Sequence, residues 1–352
     1  MINIAHLKPE RLAQAKAAYT ARHVNFETIR TLLSGDLKPK SGDLVLARVE
    51  KMGQHTRLNL SSGRRADLFP GDEVVVCYGN RYAPDQFEAE LPQDLSPCHL
   101  AAAGGLAAQV LSQHDKMGVP TVLSPIGLLG NSNGQQINIA DWALQPTTYI
   151  GQRPFTLAVV GACMNSGKTT TAAHLIKGLV NSGLKVGAAK VTGTGAVGDI
   201  WLMRDAGANP VLDFTDCGFP STYQVTLKEV QKILETLIGH IAAEGVDVIV
   251  LEIADGLFQD ETSMLVSSLN FRKHVDGLIF SAQTSLGATA GVEWLRRYGL
   301  NILAVSGVIT TSPLASREAQ KATSLPVLDL EQLRNPDVIK VLGCQPKIAL
   351  SV

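Results

Sequence analysis

The stretch "VVGACMNSGKTTTAAHL", residues 159–175, constrains this chain more than any other. An apolar run leads through a short loop into Gly167, Lys168, Thr169 and Thr170, and helix-forming residues follow. A strand that turns sharply into a helix aims successive backbone N–H groups at one point, and with the helix dipole these favour a phosphate. Against the pattern of a glycine, four residues and Gly-Lys-Ser/Thr, Ala162 holds the first glycine position, with Gly161 just ahead of it. The candidate cofactor-binding residues are Gly161, Ala162, Asn165, Ser166, Gly167, Lys168, Thr169 and Thr170. Gly167 permits close approach, Lys168 reaches the β- and γ-phosphates, and the Thr169 hydroxyl is offered to Mg²⁺. The expected cofactors are ATP, with GTP as the alternative, and Mg²⁺.

The flanks demand a matching fold. After Pro154 the segments "FTLAVVGA", "KVGAAKVT", "VDVIVLEIADG", "VDGLIFSAQ" and "LNILAVSGVIT" read as five strands, apolar without alternation, as in parallel sheets covered on both faces. Helical stretches separate them. "TTTAAHLIKGLVNSG" stops at Gly183, and "TLKEVQKILETLIGHIAAEG" opens with Thr226 and Glu229 at capping-box spacing. That second helix puts Val230, Ile233, Leu234, Leu237, Ile238 and Ile241 on one face. The pattern predicts an α/β domain over 151–352, doubly wound around a mainly parallel sheet, with ligands at the carboxyl ends of the strands.

Ahead of it a smaller α+β domain is expected over 1–150. "LKPERLAQAKAAYTARHVNFETIRTLL" has helix-forming composition, so the first 40 residues are expected to be helical. Short β-branched segments between Gly, Asp and Pro predict a small sheet or barrel at about 42–92. "HLAAAGGLAAQVLSQHDKM" reads as another helix, and the polar, proline-bearing stretch 145–154 as the domain boundary. Arg64, Arg65, Asp72, Glu73, Arg81, Tyr82 and Asp85 read as a solvated face, with a substrate or partner surface as the alternative.

Charge and cysteine usage exclude several classes. With 31 basic and 32 acidic residues the net charge is -1, which gives no reason to expect a nucleic-acid partner. Cys77, Cys98, Cys163, Cys217 and Cys344 are dispersed, without metal-ligand spacing, and read as reduced thiols of a cytoplasmic protein. No apolar run is long enough for a membrane span, and the charged start does not match a signal peptide.

Beyond the loop, the chain resembles dethiobiotin synthetase and its relatives. "GACMNSGKTT" is similar to that family's phosphate loop, "GAAKVTGTG" with Lys190, Thr192 and Gly193 to its lysine-bearing second strand, and "VIVLEIADG" with Glu252, Asp255 and Gly256 to its strand ending in glutamate. The likeness spans about 155–330 and extends to cobyric-acid-type synthases, molybdenum-cofactor P-loop proteins and a P-loop family that includes D-amino-acid N-acyltransferases. It implies Mg²⁺ coordination by Glu252 and Asp255, with Thr169, and frequent homodimers. Several features depart from it: Cys163 stands near the position of the signature lysine of dimer-forming ATPases, Ile253-Ala254-Asp255 replaces a glycine-rich segment, and Thr310 and Thr311 replace an asparagine-bearing one. Dethiobiotin synthetase also lacks a long amino-terminal domain.

Lys190, at a strand end near the loop, reads as a second catalytic cation beside Lys168. Asp199 is a candidate for a second metal or for orienting substrate, and 212–223 for a substrate loop. The leading expectation is a Mg²⁺-dependent ATP-using enzyme that activates a small carboxylate- or carbamate-like acceptor. A regulatory or delivery NTPase and an acyl-coenzyme-A-dependent acyltransferase are the alternatives.

Overall fold

The computed structural model describes residues 1–147 and 153–343. Residues 148–152 of the expected boundary stretch 145–154, and Cys344, lie outside the described residues. The chain divides into two compact units. The first comprises Met1–Leu144 together with Gly193–Val197 and Phe214–Gln224, and the second comprises Gln145–Thr192, Gly198–Asp213 and Val225–Val352.

The first unit is built from β1 (Ile2–His6), β2 (Lys16–Ala17), β3 (Thr31–Gly35), β4 (Leu44–Lys51), β5 (Arg57–Asn59), β6 (Arg65–Asp67), β7 (Glu73–Tyr78), β8 (Phe87–Glu90), β9 (Cys98–Ala102), β10 (Leu106–Gln113) and β11 (Thr121–Gly130). Strand β11 pairs with β4, β4 with β7, β7 with β10, and β9 with both β10 and β11. This circuit closes a barrel, and β3 and β1 extend from β11 beyond it. Alternation along the strands explains it. Val45, Ala47, Val49, Val74, Val76, Tyr78, Leu100 and Leu123 form one buried cluster. Leu44, Leu46, Val75 and Cys77, one residue out of phase, pack with Leu7, Leu12, Val24, Ile29 and Ile139 in another.

Two expected helices are not there. Within the first 40 residues only α1 (Pro9–Gln14) is α-helical. The alanine-rich run after it leaves the helix because Lys16 and Ala17 pair with Val74 and Val75 of β7. Sheet pairing outweighs the few tenths of a kcal/mol per residue by which propensity favours a helix. The stretch 99–117 forms β9 and β10, joined by a tight turn in which Gly105 has φ +98°. Its small residues are used for close packing: Ala101 and Ala108 are buried together with Ala89 of β8. The sheet therefore extends well past residue 92.

The second unit is an α/β fold. Strands β12 (Phe155–Gly161), β13 (Val186–Lys190), β14 (Val211–Asp213), β15 (Val248–Glu252), β16 (Gly277–Ser281) and β17 (Ile302–Ser306) form a parallel sheet in the order β14-β13-β15-β12-β16-β17. Strand β14 is an addition to the five expected; three residues long, it carries too little pattern to be read as a strand. Helices α2 (Lys168–Asn181), α3 (Val197–Asp205) and α4 (Leu227–Ala243) follow β12, β13 and β14. At α4, Thr226 and Glu229 form the reciprocal capping box. The reversal of strand order around β12 places its carboxyl end at a topological switch point. Among the described residues no helix is long and apolar enough to cross a membrane.

Candidate functional site

Strand β12 ends at Gly161, and α2 begins at Lys168 from Gly167, whose φ of 94° only glycine adopts easily. The loop between them is pinned from both sides. The Ala162 N–H donates to Ser281 O at 2.9 Å, the Val308 N–H to Ser166 O at 3.0 Å, and Gln283 Nε2 to Asn165 O at 2.9 Å. Gly307 is required here, since a Cβ would sit 2.3 Å from Ser166 O. Ser166 is fully buried, whereas Asn165 and Thr170 are exposed at the mouth of the loop. Cys163 is an exposed free thiol.

Lys168 is 3% exposed, and its Nζ donates to Cys163 O at 2.8 Å and Met164 O at 3.2 Å. Burial draws its pKa below the usual lysine range, against the opposing pull of Glu252 and Asp255. Next to it, the Thr169 hydroxyl donates to Glu252 Oε1 at 2.8 Å. Glu252 is 1% exposed, and its second oxygen, Oε2, is buried without a hydrogen-bond partner. Burial pushes the Glu252 carboxyl up, while Lys190 holds it down.

Parallel register sets Lys190, the last residue of β13, opposite Glu252, the last of β15. The Lys190 ammonium pairs with Asp199 in the first turn of α3. Burial disfavours the Lys190 charge, yet Asp199 and Glu252 together hold its pKa well above the usual range. Asp199 is held below the usual carboxylate range: burial works against its charge, and the Lys190 ammonium overcomes it. Asp255 is half-buried and near enough to raise the pKa of both lysines. The backbone before it is fixed by Thr192 and Thr262, whose hydroxyls both donate to Ala254 O. The structure thus brings Lys168, Thr169, Lys190, Asp199, Glu252 and Asp255 to the carboxyl ends of three adjacent strands.

A divalent cation fits this set. Among the described residues no three His, Cys, Asp or Glu side chains could cage a metal by themselves. Mg²⁺ needs no such cage, because it takes one or two carboxylates and fills its octahedron with phosphate oxygens and water. The orphaned Glu252 Oε2 and the Thr169 hydroxyl are oxygens of the kind it takes.

Other candidates lie elsewhere. Thr310 and Thr311 donate locally to Gly307 O and Val308 O. Arg64, Arg65, Asp72, Glu73, Arg81, Tyr82 and Asp85 lie in the first unit. So do Gly193–Val197 and most of the 212–223 stretch. There Asp216 accepts from Arg22 Nη2 at 2.6 Å and from His23 Nε2, while the Arg22 guanidinium lies 4.1 Å from the Tyr19 ring centroid. Sequence reasoning misses Gln283 and Gly307. Their contacts join loops more than a hundred residues apart, and no local pattern announces them.

Loop, strand order and buried lysine define the second unit as a P-loop NTPase domain. The family model described as Molybdopterin guanine dinucleotide synthesis protein B (MobB) matches residues 156–259. Among solved structures, the chain is similar to the signal recognition particle 54 kDa protein of Aeropyrum pernix K1 in complex with GDP, at 19% identity and TM-score 0.38, covering 58% of this chain and 50% of that one. It is also similar to the cell division protein FtsY of Thermotoga maritima, at 16% identity and TM-score 0.36, over 59% of this chain and 75% of that one. A nucleotide-binding protein of Archaeoglobus fulgidus in complex with ADP gives 13% identity and TM-score 0.37, over 55% and 89% of the respective chains. The chain thus spans only half the length of the Aeropyrum protein. No curated protein matches the chain.

Proposed function

We propose that the chain is a Mg²⁺-dependent nucleoside-triphosphate enzyme that moves a γ-phosphoryl group to a small carboxylate- or carbamate-like acceptor. The bond from the γ-phosphorus to the β,γ-bridging oxygen breaks, a bond to an acceptor oxygen forms, and the nucleoside diphosphate leaves. With water as acceptor the same step is hydrolysis. Thr169 and Glu252 would hold Mg²⁺, which would supply charge neutralisation on the nucleotide's phosphates. Lys168 reaches the same phosphates from the loop. Lys190 is a second cation, positioned by Asp199, where charge develops on the transferred group or the acceptor.

The observation that carries this reading is the convergence of the buried Lys168 and the partly buried Lys190 with Thr169 and the half-satisfied Glu252 carboxylate at the ends of β12, β13 and β15. Calorimetry with ATP, GTP, ADP and acetyl-coenzyme A, each with and without Mg²⁺, tests it on the wild type and on Lys168→Ala. GTP belongs in the panel because the matched family is named for guanine dinucleotide synthesis. The expected outcome is Mg²⁺-dependent triphosphate binding that weakens at least ~30-fold, about 2 kcal/mol, in Lys168→Ala. Binding of acetyl-coenzyme A alone would replace phosphoryl transfer with acyl transfer.

A regulatory NTPase is favoured by one separate observation. The segments on either side of the α3 region, Gly193–Val197 and Phe214–Gln224, group with the amino-terminal unit, and α3 carries Asp199. Slow hydrolysis that a protein accelerates and small carboxylates do not would select this reading.

A further inference from the structure

Strand β1 is an edge of the first unit's sheet. Among the described residues it lies at the end of the sheet order and pairs only with β3, in the register Ile2↔Gly35 to His6↔Thr31. All five of its residues are exposed, Ile2 at 51% and Ile4 at 53%. Edge strands normally carry lysine, proline or a bulge that blocks further pairing. Residues 1–7, "MINIAHL", contain no Asp, Glu, Lys, Arg or Pro.

The register decides which backbone groups are open. The Leu7 N–H donates to Arg30 O at 2.9 Å, and the Asp36 N–H donates to Met1 O at 3.5 Å. Antiparallel pairs alternate, so Met1, Asn3, Ala5 and Leu7 bond inward to β3. The N–H and C=O groups of Ile2, Ile4 and His6 then point to the open side. Their side chains share one face of the strand, where the Ile4 side chain lies against the turn at Gly134.

We propose that β1 is a homodimer seam, in which two copies of the chain pair antiparallel along Ile2–His6 about a two-fold axis at Ile4. The open groups are self-complementary. A two-fold at Ile4 sets Ile4 against Ile4 of the second copy and Ile2 against His6, giving about six backbone hydrogen bonds. Asn3 falls opposite Ala5 on the other face. A shift by one residue would set open groups against groups already bonded inward, and a shift by two would leave open groups unmatched, so this register makes the most bonds. No like charges meet in it. A seam of this length buries less than the roughly 1,600 Å² of a standard interface, so the dimer is weak and reversible.

Sedimentation velocity of the full chain over a wide concentration range tests the seam. The expected result is a reversible monomer–dimer equilibrium that Ile4→Lys and Ile4→Pro each weaken at least ~10-fold, about 1.4 kcal/mol. Ile4→Pro removes an outward N–H and leaves the inward bonds to β3 intact, so its melting temperature should stay near the wild type. In parallel, Ile4→Cys should cross-link to itself under oxidation above the wild-type background. Ala5→Cys, which faces Asn3 of the second copy, should not. A wild type that stays monomeric, or a dimer indifferent to both Ile4 substitutions, would overturn the proposal. So would a monomer whose edge takes up an unrelated extended peptide, because the occupant would then not be a second copy.

Discussion

At the scale of single residues, Glu252 is the most informative side chain. One oxygen accepts from Thr169, and the other is buried without a partner, an arrangement that costs free energy until something occupies it. Glu252→Gln keeps the volume and the acceptor for Thr169 but removes the charge a cation needs. We expect the Mg²⁺ concentration that half-saturates nucleotide binding to rise at least ~10-fold. Calorimetric titration of Mg²⁺ at fixed nucleotide checks this. An unchanged Mg²⁺ requirement would move the metal to another ligand. His55, in the first unit, makes a pH prediction. Burial and the neighbouring Arg81 hold its pKa down at about 4. The folded state therefore binds the neutral ring, and its stability is intact above the unfolded value of ~6.5 and lost as pH falls towards 4. Full linkage over that window would be about 3 kcal/mol, and partial exposure of the ring reduces it to roughly 1–2 kcal/mol. His55→Gln should flatten the dependence of denaturation midpoint on pH between those limits. Lys168, Thr169 and Glu252 were legible because strand–loop–helix and strand-end positions carry them in local sequence. Gln283 was not, since its bond to Asn165 O crosses 118 residues.

At the scale of elements, local code succeeds where an element's pattern and its surroundings agree. Helix α4 has both, with apolar positions at helical spacing and a cap that satisfies backbone N–H groups at its start. Thr226→Ala should cost about 1 kcal/mol, read as a lower midpoint in chemical denaturation with an unchanged slope. If stability does not change, the box contributes nothing beyond what water supplies. The alanine-rich segments after residues 14 and 98 show the opposite case. Alanine is favoured in helices, but it is also the smallest side chain that packs, and β9 and β10 use it to approach β8 closely. Composition records the first property and is silent on the second.

At the scale of the whole molecule, each unit is completed by segments distant in sequence. The first unit includes Gly193–Val197 and Phe214–Gln224, held by Arg22 on Asp216 and by the Gly195 N–H donating to Pro220 O at 3.0 Å. Arg22 and Asp216 are 14% and 8% exposed, so removing one partner leaves the other charged and largely buried. Arg22→Ala should destabilise the protein by about 3 kcal/mol. An Arg22→Met/Asp216→Leu double variant should recover much of that loss, as measured by denaturation midpoints. Equal losses in single and double variants would mean that the pair is solvated and contributes little.

By itself the sequence determined the phosphate loop, the parallel sheet around it and the residue types at the ends of its strands. Those are properties of chain segments a dozen residues long, where apolar runs, glycine placement and caps act locally. The closed barrel, the strands within alanine-rich stretches and the contact of Gln283 with Asn165 were decided by tertiary structure. Their stabilisation comes from partners far along the chain, and pairing energy across a sheet exceeds the small local preferences that a sequence displays.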